Sequence, residues 1–308
     1  MSNITILSKG QIFGNNRLDI FKKYGTKAAI TDFAILLGGS VSGDYHASPG
    51  NDLEERTGYY WTAFSDYDGY VIAVNYDGAK SWPHPSLRNA AVRPALLYSD
   101  INLISKDVVS GSSSLSEIEY GEYPQKAVNK ELNYSLEKEY DNNRLKTTGK
   151  VYTADSRKID DYLKAFEAQV HNEYEYNGKR YIRVKANFYA DKQTLSNESI
   201  VKHGDYVWVE VEPITWLVDE KTGIIVSKKL LFSGVRFDGK DKYDGNFEST
   251  EMKMFLDYYF SKEIEVVAIK AIEPTIEEKE FETEEELDEY IATKIAEARK
   301  RLTLLGKK

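Results

Sequence analysis

The sequence predicts an α+β protein in which a β-sheet is flanked by helices. The chain of 308 residues is rich in aromatic residues, with 23 Tyr, 12 Phe and 4 Trp. Short β-branched and aromatic segments alternate with Asp-Gly and Asn-Gly turns, which is typical of antiparallel strands. Only a few segments carry the apolar spacing of an amphipathic helix. This length allows one large domain or two smaller ones.

Charge and composition exclude several classes of protein. A net charge of −9 disfavours a broad phosphate-binding surface, so we do not expect nucleic acid as a partner. The absence of cysteine excludes disulfides, thiolate nucleophiles and Cys-ligated zinc. The N-terminus lacks a signal peptide, and no apolar run reaches the ~20 residues of a membrane span. We therefore expect no membrane partner and a cytoplasmic location, with a phage particle or secretion without a classical signal as the alternatives.

The N-terminal residues are predicted to form helices followed by a loop. Residues 11–37 have apolar residues near helical spacing, with Asn16 as the expected cap and Gly25 as a stop. The Gly-, Ser- and Asp-rich residues 38–58 predict irregular structure. Short strands follow, separated by Asp-Gly turns. These strands are predicted at residues 59–62, 70–74 and 91–96.

The later part of the chain begins after a Ser-Gly-Ser-Ser-Ser run in residues 105–116, which is the predicted linker. A helix is expected over about residues 127–140, and a hairpin over residues 174–188 with Asn177-Gly178 as its turn. The remaining elements are a strand over residues 206–218 that is interrupted at Pro213, a strand over residues 223–226, and a helix over residues 249–260 capped by Ser249.

Residues 273–308 are predicted to be an acidic tail containing an amphipathic helix. A capping box stands at residues 283–286, and basic residues at positions 299–301 match the helix dipole. The apolar stripe consists of Leu287, Ile291, Ile295, Ala298 and Leu302. This helix either packs on the body of the protein or mediates self-association or contact with a partner.

Several motifs of the later part resemble the first half of a widespread bacterial domain of unknown function. They are residues 119–125 (EYGEYPQ), 211–216 (VEPITW), 230–233 (LLFS) and 254–260 (MFLDYYF). That domain is similar to the C-type-lectin-like fold of the formylglycine-generating and sulfatase-modifying class. Its usual second half carries a Tyr-Trp strand and a terminal Val-Arg-Pro-Ala-Leu. Residues 60–62 (YWT) and 91–96 (AVRPAL) match that half but come first in this chain.

The resemblance implies a C-type-lectin-like mixed sheet in permuted order, with two degenerate copies as the alternative. Residues 1–104 would hold an N-terminal helical segment and the second half of the module. Residues 117–272 would hold its first half. The two halves would complete one sheet, with Trp61 and Trp216 in the same core.

The resemblance extends to the variable proteins that retroelements diversify in phages and bacteria, although those carry the variable segment at the C-terminus. There, the segment between the Trp strand and the Arg-Pro strand contacts the ligand, and the matching segment here is residues 62–90. The implied ligand-binding residues are Asp66, Tyr67, Asp68, Tyr70, Tyr76, Trp82, His84, Arg88 and Asn89. Prolines on both sides of His84 stiffen its loop, which lowers the entropy cost of binding. Arg93 is expected to be structural and paired with a carboxylate.

Catalytic and metal-binding patterns are weak. The four histidines are widely spaced, and no nucleophile elbow or phosphate-binding loop is found. Iron or copper sites of enzymes with this fold would need a histidine cluster or cysteines. Acidic loops at residues 66–69 and 238–246 leave calcium open, but Lys240 and Tyr243 stand where EF-hand ligands belong. We therefore expect no catalytic residue and no cofactor.

These observations favour a non-enzymatic recognition protein that binds a protein or a glycan through residues 62–90. One alternative is an acidic cytoplasmic inhibitor or regulator, encoded by a bacterium or a phage, that binds a basic protein surface. Its affinity should fall steeply with salt, whereas binding to an aromatic surface should not. The other alternative is a degenerate enzyme of the formylglycine-generating fold, which bound iron or copper would reveal.

Overall fold

The structure is a computed structural model that describes residues 4–41, 56–65, 68–97, 117–158, 161 and 164–264. The strands are β1 (Thr5–Ile6), β2 (Tyr60–Ser65), β3 (Val71–Val74), β4 (Lys80–Ser81), β5 (Pro94–Leu97), β6 (Glu117–Ala127), β7 (Lys146–Asp155), β8 (Ala168–Tyr176), β9 (Lys179–Lys185), β10 (Lys192–Thr194), β11 (Ile200–Lys202), β12 (Tyr206–Asp219) and β13 (Ile224–Ser227). The helices are α1 (Lys9–Phe13), α2 (Asp19–Tyr24), α3 (Asp32–Leu36), α4 (Lys130–Asp141), α5 (Glu251–Phe255) and α6 (Ser261–Ile264). A 3-10 turn (Phe247–Ser249) precedes α5, and a π-helical turn (Leu256–Phe260) joins α5 to α6.

Strand β12 is the centre of an eight-stranded sheet. Seven of the strands follow the order β1-β5-β13-β12-β9-β8-β7, and β6 pairs with β12 as the eighth. Strand β6 runs along one edge of β12, and β9 and β13 share its opposite edge, because Val209 pairs with both β6 and β9 and Trp216 with both β6 and β13. The β6–β12 register shifts between Pro213 and Thr215. Proline is tolerated at such a bulge because it has no N–H to donate. The predicted strand with an interruption at Pro213 is confirmed.

The front segment contributes β1 and β5 to this sheet, but its strands β2, β3 and β4 form a separate three-stranded sheet, so the expected single sheet is confirmed only in part. Strand β5 pairs with β13, placing Ala95 opposite Val226, and an isolated bridge joins Val92 to Phe232. Trp61 and Trp216 are both buried in one hydrophobic core, as expected. The described residues up to 264 belong to one compact unit. The predicted linker at residues 105–116 and the tail helix at residues 273–308 lie outside the described residues.

The sheet differs from the expected mixed sheet because its strand pairs are antiparallel. Among the described residues, parallel pairing is limited to isolated bridges, Ile30 with Leu230 and Tyr60 with Ala91. Short connections explain this for the hairpins β8–β9 and β12–β13, since a parallel pair needs a crossover of a dozen or more residues. The predicted hairpin is confirmed: Asn177 (φ 51°) and Gly178 (φ 74°) form the left-handed turn between β8 and β9.

Helix boundaries follow capping chemistry more closely than apolar spacing. The expected helical region at residues 11–37 is divided into α1, α2 and α3. Gly25 (φ 74°) ends α2 as predicted, but Leu18 rather than Asn16 occupies its N-cap. Helix α4 is confirmed and is capped by the Asn129 side chain. The predicted cap at Ser249 is wrong, because Thr250 accepts the N–H of Lys253 and α5 begins after it.

The helical segment of residues 251–264 packs against both β6 and β7, and we call this contact the β6–β7 seam. Phe260 packs edge-on to Tyr123 of β6, with 5.1 Å between ring centroids. Oε1 of Glu263 accepts the backbone N–H of Thr153 in β7 at 2.6 Å. Gly121 of β6 lies so close that a Cβ atom there would stand 2.7 Å from the carbonyl oxygen of Ile264.

We expect Gly121→Ala to destabilise the protein more than Gly149→Ala. Both glycines have positive φ, +68° and +83°, but a Cβ at Gly149 would meet no atom within 4 Å. The control should therefore lose about 1–2 kcal/mol from backbone strain alone. Gly121→Ala should lose on the order of 1–3 kcal/mol more from crowding against α6. Urea unfolding of both variants measures the difference, and equal losses would contradict this packing.

Candidate functional site

The candidate site is an aromatic surface on one face of the β3–β4 hairpin. Ala73 pairs with Ser81, and the N–H of Val71 donates to the carbonyl of Pro83 at 3.2 Å, so the ladder continues into the loop after β4. Side chains alternate between faces along each strand. Val71 and Pro83 are buried on the inner face. The opposite face carries the set that we call the Trp82 face: Tyr70, Ile72, Trp82 and His84.

The Trp82 face exposes aromatic rings that are usually buried. Trp82 is 53% exposed and Tyr70 43% exposed, whereas Ile72, which the alternation assigns to the same face, is 2% exposed. Tyr70 meets the imidazole of His84 edge-on, with ring centroids 6.1 Å apart. The other tryptophans, Trp61, Trp208 and Trp216, are at most 1% exposed. Trp82 therefore differs from every other tryptophan of the chain.

Backbone hydrogen bonds hold the loop that carries Trp82 and His84. The carbonyl of Pro85 accepts the N–H groups of Phe237 at 2.9 Å and Asp238 at 3.1 Å. The carbonyl of His84 accepts the N–H of Leu87 at 3.1 Å. Phe237 is fully buried and packs on Trp61, so the loop is tied to the core. The predicted stiffness of the loop thus arises from these bonds as well as from its prolines.

The hydrogen bonds of His84 fix the tautomer of its neutral ring. The backbone N–H of Ser86 donates to Nδ1 at 3.3 Å, and the Ser86 hydroxyl lies 2.6 Å from the same atom. A backbone N–H can only donate, so Nδ1 must accept and the ring proton lies on Nε2. Nε2 makes no hydrogen bond to a described residue. The ring therefore offers a fixed N–H donor beside Tyr70.

The other predicted site residues differ in their placement. Asp68 is exposed in the turn before Tyr70. Tyr76 is half-buried and packs against Tyr59, with 6.1 Å between ring centroids. Asn89 is half-buried, and its backbone carbonyl accepts the N–H of Ser40. The two remaining acidic-loop candidates, Asp66 and Tyr67, lie outside the described residues.

Arg88 corrects the prediction of a ligand-contacting arginine. Its guanidinium is 1% exposed and lies 3.5 Å from Oδ2 of Asp155, and it also donates to the carbonyls of Arg157 and Lys158. Asp155 is held at the same time by Nε of Arg157 at 2.8 Å. Burial lowers the pKa of Arg88, and the nearby Asp155 carboxylate opposes that shift. A side chain enclosed in this way stabilises the fold and cannot contact a ligand at the surface.

Arg93 is structural, as predicted, but its contacts differ from the expectation. It is 5% exposed, and its Nε donates to the carbonyl of Ser227 at 2.9 Å. Its guanidinium lies 5.3 Å from the ring centroid of Phe21 and 5.7 Å from that of Tyr60. Within the described ranges, backbone and aromatic groups take the place of the expected carboxylate.

The acidic loop after β13 is neutralised by its own lysine. Nζ of Lys240 lies 2.9 Å from Oδ2 of Asp244 and 3.9 Å from Oδ2 of Asp238. An ammonium group thus stands between carboxylates that would otherwise face a calcium ion. In the part of the chain that the structure describes, no group of three His, Cys, Asp or Glu side chains is arranged to hold a metal ion.

The β6–β7 seam buries the carboxylate of Glu263, which sequence analysis did not single out. Glu263 is 6% exposed, and burial raises its pKa to about 7, although the hydrogen bond from Thr153 and the charge of Lys150 lower it in part. Tyr123 has a pKa well above its usual value because of burial and the neighbouring Glu263. Glu263 precedes a long acidic run, so sequence reasoning had no signal that separates it from solvent-exposed glutamates.

A second carboxylate, Glu173, lies buried in the same part of the sheet. It accepts the Tyr152 hydroxyl at 2.8 Å and the Thr148 hydroxyl at 2.7 Å. The rings of Tyr152 and Phe260 both pack edge-on against Tyr123 in this region. Such close packing strengthens the seam, whereas a substrate needs an open cleft.

Comparisons with known proteins complete this description. None of the helices in the described ranges is both long and apolar enough to cross a membrane. Comparison of the chain with protein-family models, with curated proteins and with solved structures gave no match.

Proposed function

We propose that this chain is a non-enzymatic recognition protein that binds its ligand through the Trp82 face. The observation that supports this most directly is the exposure of Trp82, 53%, on a loop whose backbone is bonded to the core. Tryptophan and tyrosine dominate binding hot spots because they bury a large area at a small cost in side-chain entropy. The exposed half of the Trp82 side chain contributes no burial energy to the fold.

The scaffold that we propose is the permuted C-type-lectin-like one. This proposal is supported by the pairing of β5 from the front segment with β13 from the later part. The loop that carries Trp82 leads from β4 into β5 and is therefore attached to the main sheet. The Arg88–Asp155 ion pair adds a second link between the same parts of the chain. The loop can thus be presented to a ligand without rearrangement of the core, which keeps the entropy cost of binding low.

We expect Trp82→Ala to weaken ligand binding by roughly tenfold or more, the effect of losing a hot-spot side chain. Wild type and variant would be compared on a glycan array and on an array of immobilised bacterial proteins. Tyr134→Ala is the matched control, because Tyr134 is a 71% exposed aromatic residue on α4. Binding that survives in Trp82→Ala would place the site elsewhere. A wild-type chain that binds nothing on either array would count against recognition itself.

A further inference from the structure

We propose that the ligand of the Trp82 face is a saccharide, whose ring stacks on Trp82 while a hydroxyl or ring oxygen accepts the Nε2–H of His84. This inference rests on the proposed function and specifies the chemical class of the ligand.

The Trp82 face is small compared with a protein interface. An aromatic side chain has a surface on the order of 200 Å². The exposed fractions of Trp82, 53%, and Tyr70, 43%, together with the rim of His84, therefore offer on the order of 250 Å². A standard protein interface buries about 800 Å² on each partner, polar rim included, so these side chains would supply about a third of one. One or two sugar rings fit the smaller area.

Charged side chains border the face and limit its extension. Asp68 is exposed in the turn before Tyr70, and Lys242 passes so close to Gly69 that a Cβ there would lie 2.7 Å from its Cβ. Lys242 is itself exposed. The apolar surface thus ends in groups that hydrogen-bond well to hydroxyls. A small ligand with an apolar centre and a hydroxyl rim matches this pattern.

A sugar ring has chemical groups that are complementary to those of the Trp82 face. One face of a pyranose presents C–H groups, which carry a partial positive charge and pack on the negative face of an indole ring. Its edge presents hydroxyl groups that both donate and accept. His84 supplies a donor whose position is fixed, because Ser86 engages Nδ1 and Tyr70 packs against the ring. A stacking platform with one oriented donor beside it recognises a polyhydroxylated ring.

The position of Trp82 provides a direct assay. Since the other tryptophans are at most 1% exposed, collisional quenching of intrinsic fluorescence by acrylamide reports mainly on Trp82. Maltohexaose, cellohexaose and chitohexaose would serve as probes after a glycan array has ranked them. We expect the best probe to protect wild-type fluorescence from acrylamide. Trp82→Phe should bind the same probe on the array without that protection.

The His84 donor is tested with paired variants. His84→Ala should weaken saccharide binding about twofold to tenfold, the range of one neutral hydrogen bond, and His84→Gln should recover part of the loss because its amide can donate. Tyr134→Ala should bind as wild type does. Equal affinities in His84→Ala and wild type would remove the oriented donor from the proposal.

The outcomes separate this inference from the proposed function. Saccharide binding that depends on Trp82 supports both. If no saccharide binds but a protein ligand is lost in Trp82→Ala, the proposed function stands and the saccharide class is overturned. If saccharide binding is indifferent to Trp82→Ala, the site is overturned. If neither class of ligand binds, both proposals fail.

Discussion

Asp155→Asn is expected to lower the free energy of unfolding by about 3–5 kcal/mol, the usual cost of removing one partner from a buried ion pair. The carboxylate of Asp155 is fully buried and accepts hydrogen bonds from Nε of Arg157 and from the backbone N–H of the same residue. Arg88 approaches its other oxygen to 3.5 Å. The amide would turn an N–H₂ group towards two guanidinium groups that are each 1% exposed.

The control for this substitution is Glu117→Gln at a surface ion pair. Glu117 lies 2.9 Å from Nζ of Lys228, with side chains 32% and 52% exposed. Solvent screens such a pair, so its loss should cost no more than about 1 kcal/mol. Chemical denaturation compares the two variants with wild type. If Asp155→Asn lost no more stability than Glu117→Gln, the cluster around Asp155 would contribute little to the fold.

The Asp155 cluster also illustrates a limit of sequence reasoning. Arg88 stands 67 positions before Asp155, and no local pattern links them. In the sequence, Arg88 follows Trp82 and His84 in a polar loop, which is also the pattern of a ligand-contacting arginine. Only the approach of β7 to this loop decides which function it has. The same loop holds Trp82, which the sequence did identify as a candidate and which is exposed.

Elements that depend on local chemistry were predictable. The turn at Asn177-Gly178, the interruption at Pro213 and helix α4 follow from backbone preferences that act within a few residues. The antiparallel order of the sheet depends instead on which strands meet across long separations. The β6–β7 seam also depends on contacts between distant parts of the chain, so no local sequence pattern predicts it. In the sequence, Glu263 resembles the acidic residues that follow it.

Glu263→Gln is expected to stabilise the protein at pH 8 by about 3 kcal/mol and to leave its stability near pH 4.5 almost unchanged. Burial raises the pKa of Glu263 from 4.5 to about 7. Between these two pH values the folded state keeps a proton that the unfolded state releases, so wild-type stability falls as pH rises, by about 1.4 kcal/mol per pKa unit. Glutamine stays neutral and keeps an oxygen for the N–H of Thr153.

Other groups titrate in the same range, so the measurement compares differences between variants. Burial lowers the pKa of His171, which is 4% exposed, so His171 opposes Glu263 by favouring the folded state as pH rises towards its ordinary value. That contribution is common to wild type and Glu263→Gln and cancels in their difference. Glu175→Gln, an exposed glutamate of β8, controls for the loss of one negative charge.

The expected result is a difference in unfolding free energy between Glu263→Gln and wild type that grows from about pH 4.5 to pH 7 and then stays constant. Urea unfolding at several pH values measures it. Amide exchange at Thr153 locates it, because ionisation of the buried Glu263 makes opening of the seam less costly, so the protection factor of that N–H should fall with rising pH in wild type relative to Glu263→Gln. A difference that is constant across this pH range would mean that Glu263 titrates at its ordinary pKa, and that the seam between β6 and β7 admits solvent.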